Sequence, residues 1–201
     1  MTSGASEFPR YIYVPWIDGE PHGERADQTV ALAEALAWEV GLPVLGVAAT
    51  AQQIPDGWGK RPYRTRKSRA HSVAGPAVEV YFWPTLDLLA SMPPTHGKRT
   101  FVLEWGSDDL SGWARHAGAV HFDEKQTMVP TITAEALELY AVIDWNGNNS
   151  WGDAPGKRDA LRDLRKLKAM GELEPVDLAG YMIGRHGDHA IKNLLELARK
   201  A

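Results

Sequence analysis

Apolar positions along the first part of the chain fall into short runs that alternate with helical periodicity. Residues 11–17 form a β-branched and aromatic run too short for a helix, bounded by Pro9 and by Asp18-Gly19, which predicts a strand. Ala26, Val30, Ala33, Ala37 and Val40 then step by three and four, predicting a helix over about 23–40 that stops at Gly41 with Leu42 as its closing contact. Residues 44–49 and 78–83 are apolar runs of the kind buried on both faces in parallel sheets, separated by a long segment with no clear period. Residues 85–92 read as a short helix stopped by Pro93-Pro94, and 100–105 as the next strand. Ser107 suits an N-cap, Asp108 and Asp109 favour the positive end of a helix, and Leu110, Trp113, Ala114 and Ala117 form one stripe. A short strand over 119–122 follows. Thr133 then caps a helix whose inward face carries Ala136, Leu139, Tyr140 and Ile143.

Strand alternating with helix is the pattern of a parallel sheet joined by right-handed crossovers. It predicts an α/β domain over residues 1–145, three-layered and Rossmann-like or flavodoxin-like, with about five mainly parallel strands. The alternation ends at residues 145–154, where Asn146-Gly147, Asn148-Asn149 and Gly152 are turn formers. Only helices are predicted beyond that. Ala160, Leu161, Leu164 and Leu167 mark one, residues 176–183 a second, and Ile191, Leu194, Leu195 and Ala198 a third, capped by Asp188. Residues 146–201 thus read as a helical extension packed on or beside the α/β domain. Trp145 and Trp151 are expected to fill the junction.

Composition narrows the chemistry. The 201 residues contain no cysteine, which excludes disulfides, thiolate metal sites and cysteine nucleophiles. The start of the chain has no cationic segment followed by an apolar run, and no window approaches the roughly 18 apolar residues of a spanning helix. Both point to a soluble, cytoplasmic protein without membrane attachment. A formal charge of −4 gives no general attraction for polyanions, so binding of that kind requires a local cationic cluster. Motifs for phosphate loops are missing: the turn after the first strand reads Asp18-Gly19-Glu20-Pro21-His22-Gly23, and neither Gly57-Trp58-Gly59-Lys60 nor Gly156-Lys157 completes a P-loop. No serine stands in a nucleophile elbow.

The most unusual stretch is Lys60, Arg61, Arg64, Arg66, Lys67 and Arg69, interleaved with Tyr63 and followed by His71, with no acid among them. Such a run repels itself unless an anion or an acidic surface screens it. Arginine pairs bidentately with phosphate and tyrosine stacks on bases, so nucleic acid or another polyanion is the expected partner. The helix after residue 153 adds Arg158, Arg162 and Arg165 on a basic outer face. These residues predict a non-catalytic accessory protein that binds polyanions through a basic loop. One alternative rests on Asp18, Glu104 and Asp123, each at or just beyond the carboxyl end of a predicted strand. If they converge they can hold Mg²⁺ for a phosphoesterase or nuclease reaction. Another is an interaction module in which the basic loop docks an acidic protein. His186 and His189 have helical metal spacing, but Gly184 and Gly187 favour a turn there.

Overall fold

The computed structural model describes residues 8–67, 75–94, 99–106 and 108–201. Arg69, His71 and Ser107 lie outside the described residues. The protein is of the α/β class, and the described residues form an all-parallel six-stranded sheet and seven α-helices. In chain order the elements are β1 (Tyr11–Val14), α1 (His22–Val40), β2 (Val44–Ala48), β3 (Tyr63–Thr65), β4 (Val78–Phe82), α2 (Leu86–Ser91), β5 (Arg99–Leu103), α3 (Ser111–Ala117), β6 (Val120–His121), α4 (Ala134–Trp145), α5 (Ala154–Ala169), α6 (Pro175–Met182) and α7 (Asp188–Lys200).

The strand order is β3-β2-β4-β5-β1-β6. Two features depart from the sequence reading. The basic segment is not wholly irregular, because β3 forms inside it and pairs with β2 through Gly46↔Tyr63, Val47↔Arg64 and Ala48↔Thr65. In addition, β4 and β5 separate β1 from β2, which are neighbours in the Rossmann and flavodoxin orders. Apart from β3, the strands were legible from their apolar runs, but their spatial order was not.

Chain contacts divide the protein into two compact units. The first comprises Met1–Pro84, Pro94–Gly106 and Gly118–Thr127, and the second Thr85–Pro93, Ser107–Ala117 and Met128–Ala201. The expected boundary at residue 145 therefore differs from this division: α2, α3 and α4, read as parts of the α/β domain, group with the later helices.

In the sheet unit, α1 lays small side chains on the strands. Ala26, Thr29, Ala33, Leu36 and Ala37 are buried, and this face meets Ile12, Val14, Val80, Phe82, Phe101 and Leu103. Gly41 ends the helix with φ 66°, a left-handed conformation that glycine adopts without a Cβ penalty, and the Leu42 N–H closes on the Ala37 carbonyl at 2.9 Å. Trp58 extends this core over Gly46, where a Cβ would stand 3.1 Å from its ring. The alternate residues of the strands carry Tyr11, Tyr13, Arg64, Glu79, Tyr81 and Thr100 on the opposite face.

In the helical unit, α3 and α6 pack backbone to backbone. A Cβ on Gly112 would come within 2.1 Å of the Val176 carbonyl oxygen, and one on Gly180 within 2.2 Å of the Gly112 carbonyl carbon. Caps fix the helix starts: Thr85, Thr133 and Asp153 each accept a backbone N–H three residues on. Asp109 accepts the Ser111 N–H at 2.8 Å. Trp113 is buried together with Leu110 and Ala114, as its stripe predicts. Of the tryptophan pair expected at the turn, Trp151 is buried and donates to the Ile143 carbonyl at 3.2 Å, whereas Trp145 is 78 % exposed. Gly187, not Asp188, occupies the cap of α7, and His186 Nε2 lies 2.7 Å from Asp144.

Candidate functional site at the carboxyl edge of the sheet

Because all six strands run in parallel, the segments that follow them emerge along one edge. Open α/β sheets bind their ligands there. The sequence-predicted cations are divided between that edge and the protein's own interior. Arg61 is clipped to α1 and to the preceding turn: its Nε lies 2.6 Å from Glu34, and its Nη1 donates to the Gly57 and Trp58 carbonyls at 3.0 and 2.7 Å. The Trp58 indole N–H in turn donates to the Arg61 and Pro62 carbonyls at 3.1 and 3.2 Å, so the arginine and the tryptophan hold one turn between them. Arg64 points to the second face of the sheet, where Nη2 pairs with the buried Glu79 at 2.9 Å and donates to the Tyr81 hydroxyl at 3.2 Å. Burial, reinforced by the Glu79 carboxylate, raises the Tyr81 pKa. Tyr63 is half-buried and packs against the α1 core. Lys60, Arg66 and Lys67 are exposed, with Lys60 before β3 and the other two at its carboxyl end.

The cations of α5 show a similar division. Asp163 is buried and accepts from Arg162 at 2.8 and 3.0 Å and from Lys166 at 3.0 Å. The Arg162 hydrogen bonds hold its carboxyl below the usual range. Arg158 and Arg162 approach Asp159 at 3.8 and 3.3 Å, and Arg165 is exposed.

The carboxylates of the alternative metal site each have other partners. Asp18 accepts the Trp16 indole N–H at 2.7 Å, Glu104 accepts the Trp16 backbone N–H at 3.0 Å, and Asp123 is ion-paired with Arg25. Among the described residues, no group of three or more His, Asp or Glu side chains is placed to share a metal ion. Asp18, Glu104 and Asp123, read as a Mg²⁺ set from their places at strand ends, are in no such group among the described residues.

What gathers at this edge is aromatic. Trp16 and His22 follow β1, Trp83 follows β4, and Trp105 follows β5. Trp16 stacks on His22 with centroids 3.5 Å apart, and Trp105 meets Trp16 at 4.6 Å, His22 at 5.0 Å and Trp83 at 5.7 Å. Trp16, His22 and Trp83, but not Trp105, line a narrow crevice of about 10 Å³, room for about one water, together with Pro15, Ile17, Arg25 and Glu104. Gly106 allows Trp16 to sit there, since a Cβ would come within 2.7 Å of its indole nitrogen. Trp83 has φ 48°, a conformation that costs a bulky residue of order 1–3 kcal/mol and concentrates at functional sites. Arg25, with its side chain 12 % exposed, is held by the Pro15 carbonyl at 3.1 Å, by Glu20 at 2.8 Å and by Asp123.

Sequence reasoning missed this cluster. Its residues lie as far as 89 positions apart, from Trp16 to Trp105. The available signal was a tryptophan at or just past the end of three predicted strands, which reads one by one as ordinary core packing. Among family models, curated proteins and solved structures, none matches the chain.

Proposed function

We propose that this protein is a binding protein whose ligand stacks on the aromatic cluster at the carboxyl edge of the sheet. The supporting observation is the convergence of segments following β1, β4 and β5 on one cluster of rings, with a strained Trp83 and a 41 % exposed Trp105. Partly exposed aromatic rings offer a ligand apolar contact area together with a polar N–H.

The chain provides its own control. Trp38 is 90 % exposed and Trp145 78 % exposed, and neither belongs to the ring cluster. In a fragment screen followed through indole N–H resonances, Trp16, Trp83 and Trp105 shift ahead of Trp38 and Trp145. Shifts distributed over all five according to exposure would overturn the reading.

A second reading keeps the polyanion partner and rests on Lys60, Arg66 and Lys67, three exposed cations on either side of the edge strand β3. Its affinity comes from phosphate neutralisation and carries little base specificity. Labelled oligonucleotides titrated at two salt concentrations test it: salt-sensitive retention supports this reading, and no binding at low salt removes it.

A further inference from the structure

We infer that the helical unit carries a self-association surface on α4 and α5, whose occupant is the same surface of a second copy of this chain. The first observation is a helix with two apolar sides. Ala136, Tyr140 and Ile143 bury the inner side of α4, and its outer side presents Leu137, Ala141, Val142 and Trp145, all exposed. A helix apolar on every side is ordinarily covered on every side, and an exposed tryptophan is the residue type that most often anchors an interface.

The second observation is an open groove of about 500 Å³ beside that outer side, within the helical unit. Leu139 and Val142 of α4 face Ala169 and Met170 of α5 across it, with Glu135 and Glu138 on the α4 rim. The end of α4 passes into the start of α5 through residues 146–153, and residues 135–142 line the groove with residues 166–170. The two helices therefore run antiparallel.

Charge names the occupant. Glu135 and Glu138 are exposed and have no ion-pair partner among the described residues. On α5 the outward positions Arg158, Arg162, Arg165 and Ala169 step by four and three, and Arg165 has no carboxylate partner among the described residues. An acidic ridge thus lies beside a basic one. A two-fold axis satisfies that pattern, because each residue then meets on the second copy what its counterpart meets on the first.

With the axis along the groove, α4 of one copy lies over α5 of the other and every residue keeps its height. Glu138 shares the groove with Ala169, so it comes within one helical turn of the second copy's Arg165. Trp145 stands about two turns beyond Glu138, as Arg162 does beyond Ala169, so the indole reaches a guanidinium that favours its face. Packing α4 on α4 instead would set the two acidic ridges against each other, which costs affinity. A foreign helix would need an acidic and a basic flank in matching order; a second copy has both.

Sedimentation equilibrium of the full chain, carried to its solubility limit, tests this inference, and a monomer–dimer equilibrium is expected. Glu138→Lys and Arg165→Glu should each weaken association at least about tenfold, because symmetry repeats each like-charge contact. Mixing the two variants should restore the dimer, since every contact between unlike chains is again of opposite charge, and a chain carrying both substitutions should pair with itself. On dilution the Trp145 indole resonance should move, whereas that of Trp38, more exposed and in the sheet unit, should not. A chain that stays monomeric leaves the groove to a different protein and overturns the inference. A dimer that both single variants keep, a loss that mixing does not repair, or dilution that moves Trp38 and leaves Trp145 unmoved overturns it equally.

Discussion

Two ends of the same sheet edge use charge and aromatic surface in opposite ways. At the β3 end, the sequence packs cations closely together, and folding disperses them: Arg61 turns to Glu34 and the Trp58 turn, Arg64 to the buried Glu79, and among the described residues of the run Lys60, Arg66 and Lys67 remain exposed. At the β1 and β5 end, the sequence disperses its aromatics and folding brings Trp16, His22, Trp83 and Trp105 together. Density in sequence is therefore a poor guide to density at a site. A cation with a buried acid within reach is drawn inward, because leaving that acid unpaired costs more than losing an exposed charge.

The strongest way to break this comparison uses one residue type in two places. Trp58 is 1 % exposed and packs over Gly46, so Trp58→Ala should cost about 3–5 kcal/mol in urea denaturation. Trp105→Ala should cost under about 1 kcal/mol while eliminating the ligand response. Equal losses would mean that Trp105 is structural and the ring cluster only packing.

The next effect concerns the buried pair. Arg64→Ala leaves Glu79 without its guanidinium and should lower stability by roughly 3 kcal/mol, with Glu79→Gln added to Arg64→Ala recovering part of the loss. Lys67→Ala should stay within about 0.5 kcal/mol of the parent. If Arg64 proves as dispensable as Lys67, the division of the basic run into inward and outward cations is wrong.

A smaller effect on stability, but a decisive one for the polyanion reading, comes from reversing Lys60, Arg66 and Lys67 to Glu. The melting temperature should hardly move. If about three phosphates are neutralised, the parent's log affinity should fall with log salt at a slope near −2 to −3, and the triple variant should lose most of it. The same variant should leave the ligand response of Trp16, Trp83 and Trp105 intact, which separates the two ends by function.

The smallest expected effect lies in the helical unit and sets the background for the others. His116 has its pKa lowered chiefly by burial, against the opposing pull of Asp177 at 3.7 Å, with Arg115 and Arg185 adding to the decrease. Its neutral form is favoured in the folded protein, whereas the unfolded chain takes up the proton near the ordinary value of about 6.5. Stability from this site is therefore complete above that pH and declines as pH falls toward the folded-state pKa. Denaturation series across this window should show a decline that His116→Gln removes. An unchanged pH profile in the variant would place the acid sensitivity elsewhere.

How much was legible follows from the range of the interactions. The strand runs, the α1 period with its Gly41 stop, the cap Thr133 and the buried stripe of Trp113 all depend on residues a few positions apart. β3 was missed because three residues in a cationic stretch, YRT, carry no periodic signal, and their pairing with β2 supplies what their propensity does not. Read as a buried apolar run, β4 is VEVYF, with Glu79 and Tyr81 sharing one face, and that alternation was in the sequence for the taking.

By itself, then, the sequence determined the α/β class, most elements and their phases, the absence of cysteine chemistry and the existence of a cationic run, since each follows from local periodicity or composition. Tertiary structure alone decided the strand order, the partners of Arg61, Arg64, Asp18, Glu104 and Asp123, and the assembly of the ring cluster. The physical reason is that pairing between strands brings distant residues to one edge through backbone hydrogen bonds that any sequence can make, so side-chain identity carries almost no record of which strand will lie beside which.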